Sequence, residues 1–179
     1  VSAERTWRVD GRNVANLQLD GAAAEQMTGG EGVLRRVLDM ATIGLCAEML
    51  GGAEGAFTTT LAYLGEREQF GAPIGSFQAI QHRAVRLFVN LELARSAVMA
   101  AARCDDRDPD ALSRHASLAK VRCGEIFVKV AEEAIQMHGG IGMTDECDIG
   151  FYLKRAQTTA ALLGDAGWHR RRWASLHGY

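Results

Sequence analysis

The chain has two prolines and three lysines among 179 residues, no apolar run near the ~20 residues a membrane-crossing helix needs, and no two cysteines two residues apart. Scarce proline leaves room for long uninterrupted helices. Without a long apolar run, no membrane-spanning helix is expected. Cys46, Cys104, Cys123 and Cys147 are too widely spaced for a zinc or redox pair and read as reduced thiols in a cytoplasm. A net charge of −2 gives no field that favours polyanions. The dense basic cluster Arg170-Arg171-Arg172 is short and sits between Trp168 and Trp173, so no nucleic-acid partner is expected. Bundle metal sites place Glu three residues before His, but His82, His115, His138, His169 and His177 follow Ala79, Leu112, Ile135, Ala166 and Ala174 at that spacing. No metal is therefore expected. Gly75-Ser76-Phe77 lacks the second glycine of a nucleophile elbow, and there is no phosphate-cradling P-loop. The chain starts at Val1 without an initiator Met or a charged-then-apolar leader, and reads as a piece of a longer protein.

What is present is an ordinary globular composition, 47% hydrophobic and 23% charged, with helical periodicity over most of its length. Residues 5–9 and 14–19 flank Asp10-Gly11-Arg12-Asn13 and predict a β-hairpin. A lone hairpin is marginal in water, so it is expected to belong to a sheet whose other strands lie upstream. Thr28 with Glu31 has the form of a capping box. Val33, Val37, Ala41, Gly44 and Leu45 predict the buried stripe of a helix over 31–65, which Gly51, Gly52 and Gly55 weaken locally, either to let a neighbouring helix approach or as simply tolerated small residues. Ile80, Ala84, Leu87, Phe88, Leu91 and Val98 predict a second helix over 77–103, stopped by a polar run at 104–108. Asp108 as cap and Pro109 at the first helical position open a third. It carries Leu112, Leu118, Phe127, Val130, Ala134 and Ile135 on its apolar side and ends at Gly139-Gly140. Helices over 148–163 and 166–177 follow. The expected fold is all-α: an antiparallel four-helix bundle over 23–179, with 1–22 as a short β remnant.

Two polar, turn-rich blocks interrupt these helices. The first is Arg67-Glu68-Gln69-Phe70-Gly71-Ala72-Pro73-Ile74-Gly75-Ser76-Phe77-Gln78. A guanidinium fork suits a pyrophosphate, Phe70 offers a flat apolar surface, and Gln69 and Gln78 offer amide donors and acceptors. The second is Gln136-Met137-His138-Gly139-Gly140-Ile141-Gly142-Met143, where Gly139-Gly140 bares a backbone a ligand could approach and Gln136 lies one turn inside the helix end. Together they have the chemistry of a dinucleotide site. The competing reading makes Arg67 the partner of a carboxylate, Phe70 a core residue and the glycines a helix stop.

These blocks, Arg-x-Gln-Phe-Gly-x-Pro-Ile with Phe-Gln and then Gln-x-His-Gly-Gly-x-Gly, closely resemble the C-terminal half of the acyl-CoA dehydrogenase family. Gly-Ile-Gly-Met-Thr at 140–144, Leu-Gly-Asp at 163–165 and His169-Arg170-Arg171 look most like the non-identical small subunits of heteromeric members, such as those acting on pimeloyl-CoA or steroid side chains. The resemblance implies that residues 1–22 end a middle β-domain. It implies a flavoprotein oxidoreductase dehydrogenating an acyl-CoA, in a homo- or hetero-dimer or tetramer with a related subunit, with electron-transfer flavoprotein as a possible acceptor. It implies that Arg67, Gln69, Phe70, Phe77 and Gln78 meet the FAD of a neighbouring subunit, and that Gln136, Gly139 and Gly140 line its adenosine and pyrophosphate side. The family reaction needs a carboxylate to take the α-proton as hydride leaves the β-carbon. Counted from Arg155, the usual Glu position is Gly164, with Asp165 next as a shorter, displaced substitute; the alternative position, counted back from Arg67, is Ala41. Asp39 keeps the first residue of a substrate-contacting Asp-x-x-Arg pattern, and Thr42 replaces the second. A subunit without its own base, a catalytically dead structural subunit and a flavin-free helical interaction domain are the three readings that follow.

Overall fold

The computed structural model describes residues 1–104 and 107–179, so the expected polar stop at 104–108 lies partly outside the described residues. Two strands, β1 (Ser2–Trp7) and β2 (Asn13–Gln18), precede α1 (Gly30–Glu66). A minimal hairpin, β3 (Glu68–Gln69) and β4 (Ala72–Pro73), and a 3-10 turn at Ile74–Ser76 lead into α2 (Gln78–Ala102). After α3 (Pro109–His138) come a 3-10 turn at Gly139–Met143, α4 (Ile149–Ala161) and α5 (Ala166–Ser175).

Cap chemistry sets the start of α3 where the sequence places it. The Asp108 carboxylate accepts from the amides of Asp110 at 3.0 Å and Ala111 at 2.9 Å, satisfying two donors that the first turn cannot pair internally. At the start of α1 the expectation fails. The cap position is Gly29, which has no side-chain oxygen, and Thr28 lies one residue too early to serve. The β1–β2 hairpin forms with Trp7 opposite Asn13, two residues earlier on its first strand than expected. Its turn is fastened to the bundle by Arg155, which donates to Asp10 at 2.6 Å and to Glu48 of α1 at 2.7 Å. Desolvation pushes the Asp10 carboxyl upward, but the Arg155 hydrogen bond and charge and the Arg12 amide prevail and leave it below its usual value.

Helix α3 is the axis of the molecule and packs against α1, α2, α4 and α5. Arg35 meets Asp110, Asp39 meets Ser113 and Tyr63 meets His138, separations of 75, 74 and 75 residues, so α1 and α3 run parallel in a constant register. α2 returns between them and α4 returns after α3, which completes the expected bundle. The core gathers Leu45, Met49, Leu64, Leu87, Leu91, Val98, Phe127, Val130 and Ile149. Gly52 lets α3 in: a Cβ there would stand 2.5 Å from the Phe127 ring.

The stripe predicted for α1 is corrected. Val33, Val37, Ala41 and Gly44 are exposed, and the buried face runs through Asp39, Thr42, Cys46, Met49, Ala53, Ala56, Thr60 and Leu64. The first turns of α1 are apolar on several sides, so periodicity alone could not choose the face. Phe88 and Leu118, also expected inside, face outward. No helix among the described residues is long and apolar enough to cross a membrane.

Candidate functional site

Because α1 and α3 run parallel, the bends that follow them sit at the same end of the bundle. The Arg67 amide donates to the Tyr63 carbonyl at 2.9 Å, closing α1, and the Ile74 amide donates to the Arg67 carbonyl at 2.8 Å, closing the bend. Between them Phe70 (φ 57°) and Gly71 (φ 79°) form the two-residue corner of β3–β4. Positive φ at both central residues is the turn that matches the strand twist, and a phenylalanine there is strained by about 1–3 kcal/mol. That corner leaves Phe70 95% exposed, with Phe77 edge-on at 6.2 Å between ring centroids. The Gln69 amide donates to the Glu68 carbonyl. Gln78 opens α2 and is exposed.

The second bend starts where Gly139, at φ 65°, ends α3. A Cβ on Gly139 or Gly140 would meet nothing within 4 Å, whereas one on Gly142 would stand 2.7 Å from the Ile135 carbonyl oxygen. The first two glycines therefore leave an open strip of backbone, and the third is a packing requirement. Gln136 is exposed on the same end. The Tyr63 ring stacks on His138 at 4.3 Å, and its hydroxyl donates to the His138 carbonyl at 3.2 Å, joining the two bends into one surface.

Two parts of the competing reading do not hold. Among the described residues no carboxylate pairs with Arg67, and Phe70 is not in the core. The third part holds: Gly139 is a helix stop, with open space where a Cβ would stand. The structure thus brings Arg67, Gln69, Phe70, Phe77, Gln78, Gln136, Gly139 and Gly140 to one end. An exposed cation and aromatic beside a strip of backbone free of side chains fit an anionic, flat ligand such as FAD. They form an open face, and the larger cavities lie elsewhere.

One of those cavities is a cleft of about 750 Å³ at the opposite end, where Leu34, Leu38 and Thr42 of α1 face Leu163, Gly164 and Trp168. Asp39 lies at its edge, 2% exposed and fully engaged. It accepts from Arg172 at 2.5 and 2.9 Å and from the Ser113 hydroxyl at 2.6 Å. Ala41 is exposed and carries no acid. Asp165 caps α5, accepting from the Trp168 amide at 2.7 Å.

The turn before α5 is held from beneath. Lys120, 1% exposed, donates to the carbonyls of Ala160 and Gly164, each at 2.9 Å. Burial lowers the Lys120 pKa. His169 lies 3.0 Å from the Leu163 carbonyl through Nε2 and 3.2 Å from the Ser117 hydroxyl through Nδ1. A carbonyl only accepts, so Nε2 carries the proton and Nδ1 accepts from Ser117. None of Lys120, His169 and Arg172 was singled out from the sequence as a site residue. The one signal was Lys120 standing on the apolar side of α3, between Ala116 and Cys123.

Gly164 has φ 100°, and a Cβ there would lie 2.8 Å from Trp168 and 3.2 Å from the His169 ring. Gly164→Glu is expected to lower stability by about 2–4 kcal/mol, combining a strained backbone with overpacking. A chemical denaturation midpoint equal to that of the parent would contradict this geometry.

Burial, with the Lys120 and Arg172 charges nearby, pulls the His169 pKa down to about 4. In the unfolded chain the imidazole binds a proton below pH 6.5. Between 6.5 and 4 the unfolded state therefore holds more protons, and stability rises with pH. The contribution is complete above 6.5, and about 3 kcal/mol is lost on descending to 4. Thermal melts from pH 7.5 to 4.5 should show a steeper decline for the parent than for His169→Gln; parallel curves would overturn the assignment.

A bundle with two turn-rich bends at one end and a cleft at the other defines a class of helical domain, and comparison with known proteins identifies it. Residues 22–175 match the model of the acyl-CoA dehydrogenase C-terminal domain, and the chain belongs to that family. It is 42% identical over 126 residues to the acyl-CoA dehydrogenase IpdE2 of Mycolicibacterium smegmatis, covering 70% of this chain and 39% of that protein. A variant of the Tcur3481–Tcur3483 steroid ACAD superposes with a TM-score of 0.91 at 33% identity, over 99% of this chain and 48% of that one. The ChsE4–ChsE5 complex from Mycobacterium tuberculosis gives a TM-score of 0.91 at 27% identity, over 99% of this chain and 49% of that one. The chain thus spans about two fifths of the curated relative and half of each solved chain.

Proposed function

We propose that the full-length protein is an acyl-CoA dehydrogenase subunit whose bundle contributes half of an FAD site to a neighbouring subunit. The observation that carries this reading is the meeting, through Tyr63 and His138, of two bends that present an exposed guanidinium, a 95% exposed aromatic and backbone free of side chains. Arg67 would hold the pyrophosphate with charge-assisted hydrogen bonds. Phe70 and Phe77 would cover apolar ring surface, Gln69, Gln78 and Gln136 would pair polar edges, and Gly139 and Gly140 would let the ligand come close to the backbone. FAD, when bound, accepts the hydride that leaves the substrate β-carbon.

The α-proton must go to a carboxylate, and this chain offers none at Gly164 or Ala41. Asp165 already caps α5. In this reading the base comes from a partner subunit; the similar ChsE4–ChsE5 structure is itself that of a complex. In this reading residues 1–22 close the middle β-domain and 23–179 form the C-terminal bundle. The substrate is an acyl-CoA, the cleft beside Asp39 faces it, electron-transfer flavoprotein takes the electrons, and the assembly works in the cytoplasm.

A second reading, a structural subunit with a dead site of its own, is favoured by the backbone at Gly164, where φ is 100° and a Cβ would crowd the Trp168 ring at 2.8 Å. A flavin-free interaction domain leaves Arg67 and Phe70 without a role. Full-length protein co-expressed with its related subunit should show flavin absorbance bands and oxidise an acyl-CoA. A colourless assembly would reject the cofactor reading, and normal turnover by a homomer would reject dependence on a partner's base.

A further inference from the structure

One residue touches both bends. Tyr63 stands on the last turn of α1, and its carbonyl accepts the Arg67 amide at 2.9 Å, the first hydrogen bond of the first bend. Its ring lies on His138 with centroids 4.3 Å apart and planes 21° from parallel. Its hydroxyl donates at 3.2 Å to the His138 carbonyl, the last one before Gly139. His138 cannot swing away, because its Nδ1 donates to the Ala134 carbonyl at 2.7 Å and the ring is nearly buried. Its Cβ also packs where a side chain at position 142 would go, 2.9 Å from a Cβ built on Gly142, so the second bend is moulded around it.

We infer that Tyr63 is a positioning residue for the cofactor half-site: it fixes Arg67 relative to the Gly139–Gly140 backbone, so that the cation and the open backbone strip meet one ligand together. The inference rests on the FAD reading above. Its physical basis is preorganisation. The two bends belong to segments 75 residues apart, and without a rigid link each would have to be ordered when the ligand arrives. The stack sets the spacing of the helix ends, and the hydroxyl sets their axial register. Tyr63 itself is half-buried behind the bend and acts through Arg67.

The test is a flavin titration of the full-length protein assembled with its related subunit, read by fluorescence quenching, for four variants. Tyr63→Leu, which removes stack and hydroxyl, should raise the FAD dissociation constant roughly tenfold, and Tyr63→Phe, which keeps the ring and the fold, roughly threefold. The discriminating readout is the same change made in an Arg67→Ala background. A residue acting through Arg67 then alters affinity by no more than about twofold. Equal fold-losses in both backgrounds would overturn the inference and leave Tyr63 as a packing residue. So would Tyr63 variants that bind flavin like the parent while Arg67→Ala does not. If Arg67→Ala itself binds flavin normally, the underlying site reading fails instead.

Discussion

Arg67→Ala in the full-length, assembled protein is expected to weaken FAD binding by roughly 30- to 100-fold, the loss of a charge-assisted, two-pronged contact to phosphate. The fold should not suffer. Arg67 is exposed, makes no ion pair among the described residues, and contributes to its bend only through backbone groups that alanine retains. A flavin-depleted assembly with an unchanged apo melting temperature is the expected pair of results. Lysine at the same place should restore part of the affinity as a point charge without the planar fork. Unchanged flavin content would mean that the exposed guanidinium serves something else.

Arg172→Ala is expected to destabilise the bundle by about 3–5 kcal/mol, enough to unfold much of a marginally stable domain. Asp39 is 2% exposed, and Arg172 is the only cation on it among the described residues. Removing that partner leaves a buried carboxylate with the Ser113 hydroxyl as its remaining donor. The pair also ties α5 to α1, so the wall of the cleft beside Gly164 should loosen with it. Asp39→Asn together with Arg172→Met removes both charges and should recover most of the loss, since an uncharged pair has no desolvation cost to offset. Denaturant midpoints for the single and double variants decide this. A double variant no better than Arg172→Ala would show that the ion pair is not what matters.

Local chemistry was legible in the sequence and long-range partnership was not. Asp108 and Pro109 announce the start of α3 because a cap is made within three residues of itself. The bends at 67–78 and 136–143 are legible for the same reason, since turn residues act on their own backbone. Thr28 misled because a capping box and a glycine entry differ by one residue of register. Val33 and Val37 misled because apolar residues at the start of α1 do not show which side α3 will cover. The cleft network was out of reach: Arg172 meets Asp39 across 133 residues, and Lys120 meets Ala160 across 40. No periodicity reports such pairs. That the two bends share a surface depends on the parallel register of α1 and α3, which only the fold supplies.

The central claim is that a neighbouring subunit's flavin rests on the face made by the two bends. Determining the structure of the full-length assembly with FAD bound tests it most directly. The account predicts the Arg67 guanidinium within hydrogen-bonding distance, about 3 Å, of a flavin phosphate held chiefly by another chain, with Phe70 against the cofactor and Gly139 and Gly140 at its edge. A flavin bound elsewhere, with Arg67 and Phe70 still facing water, would contradict it.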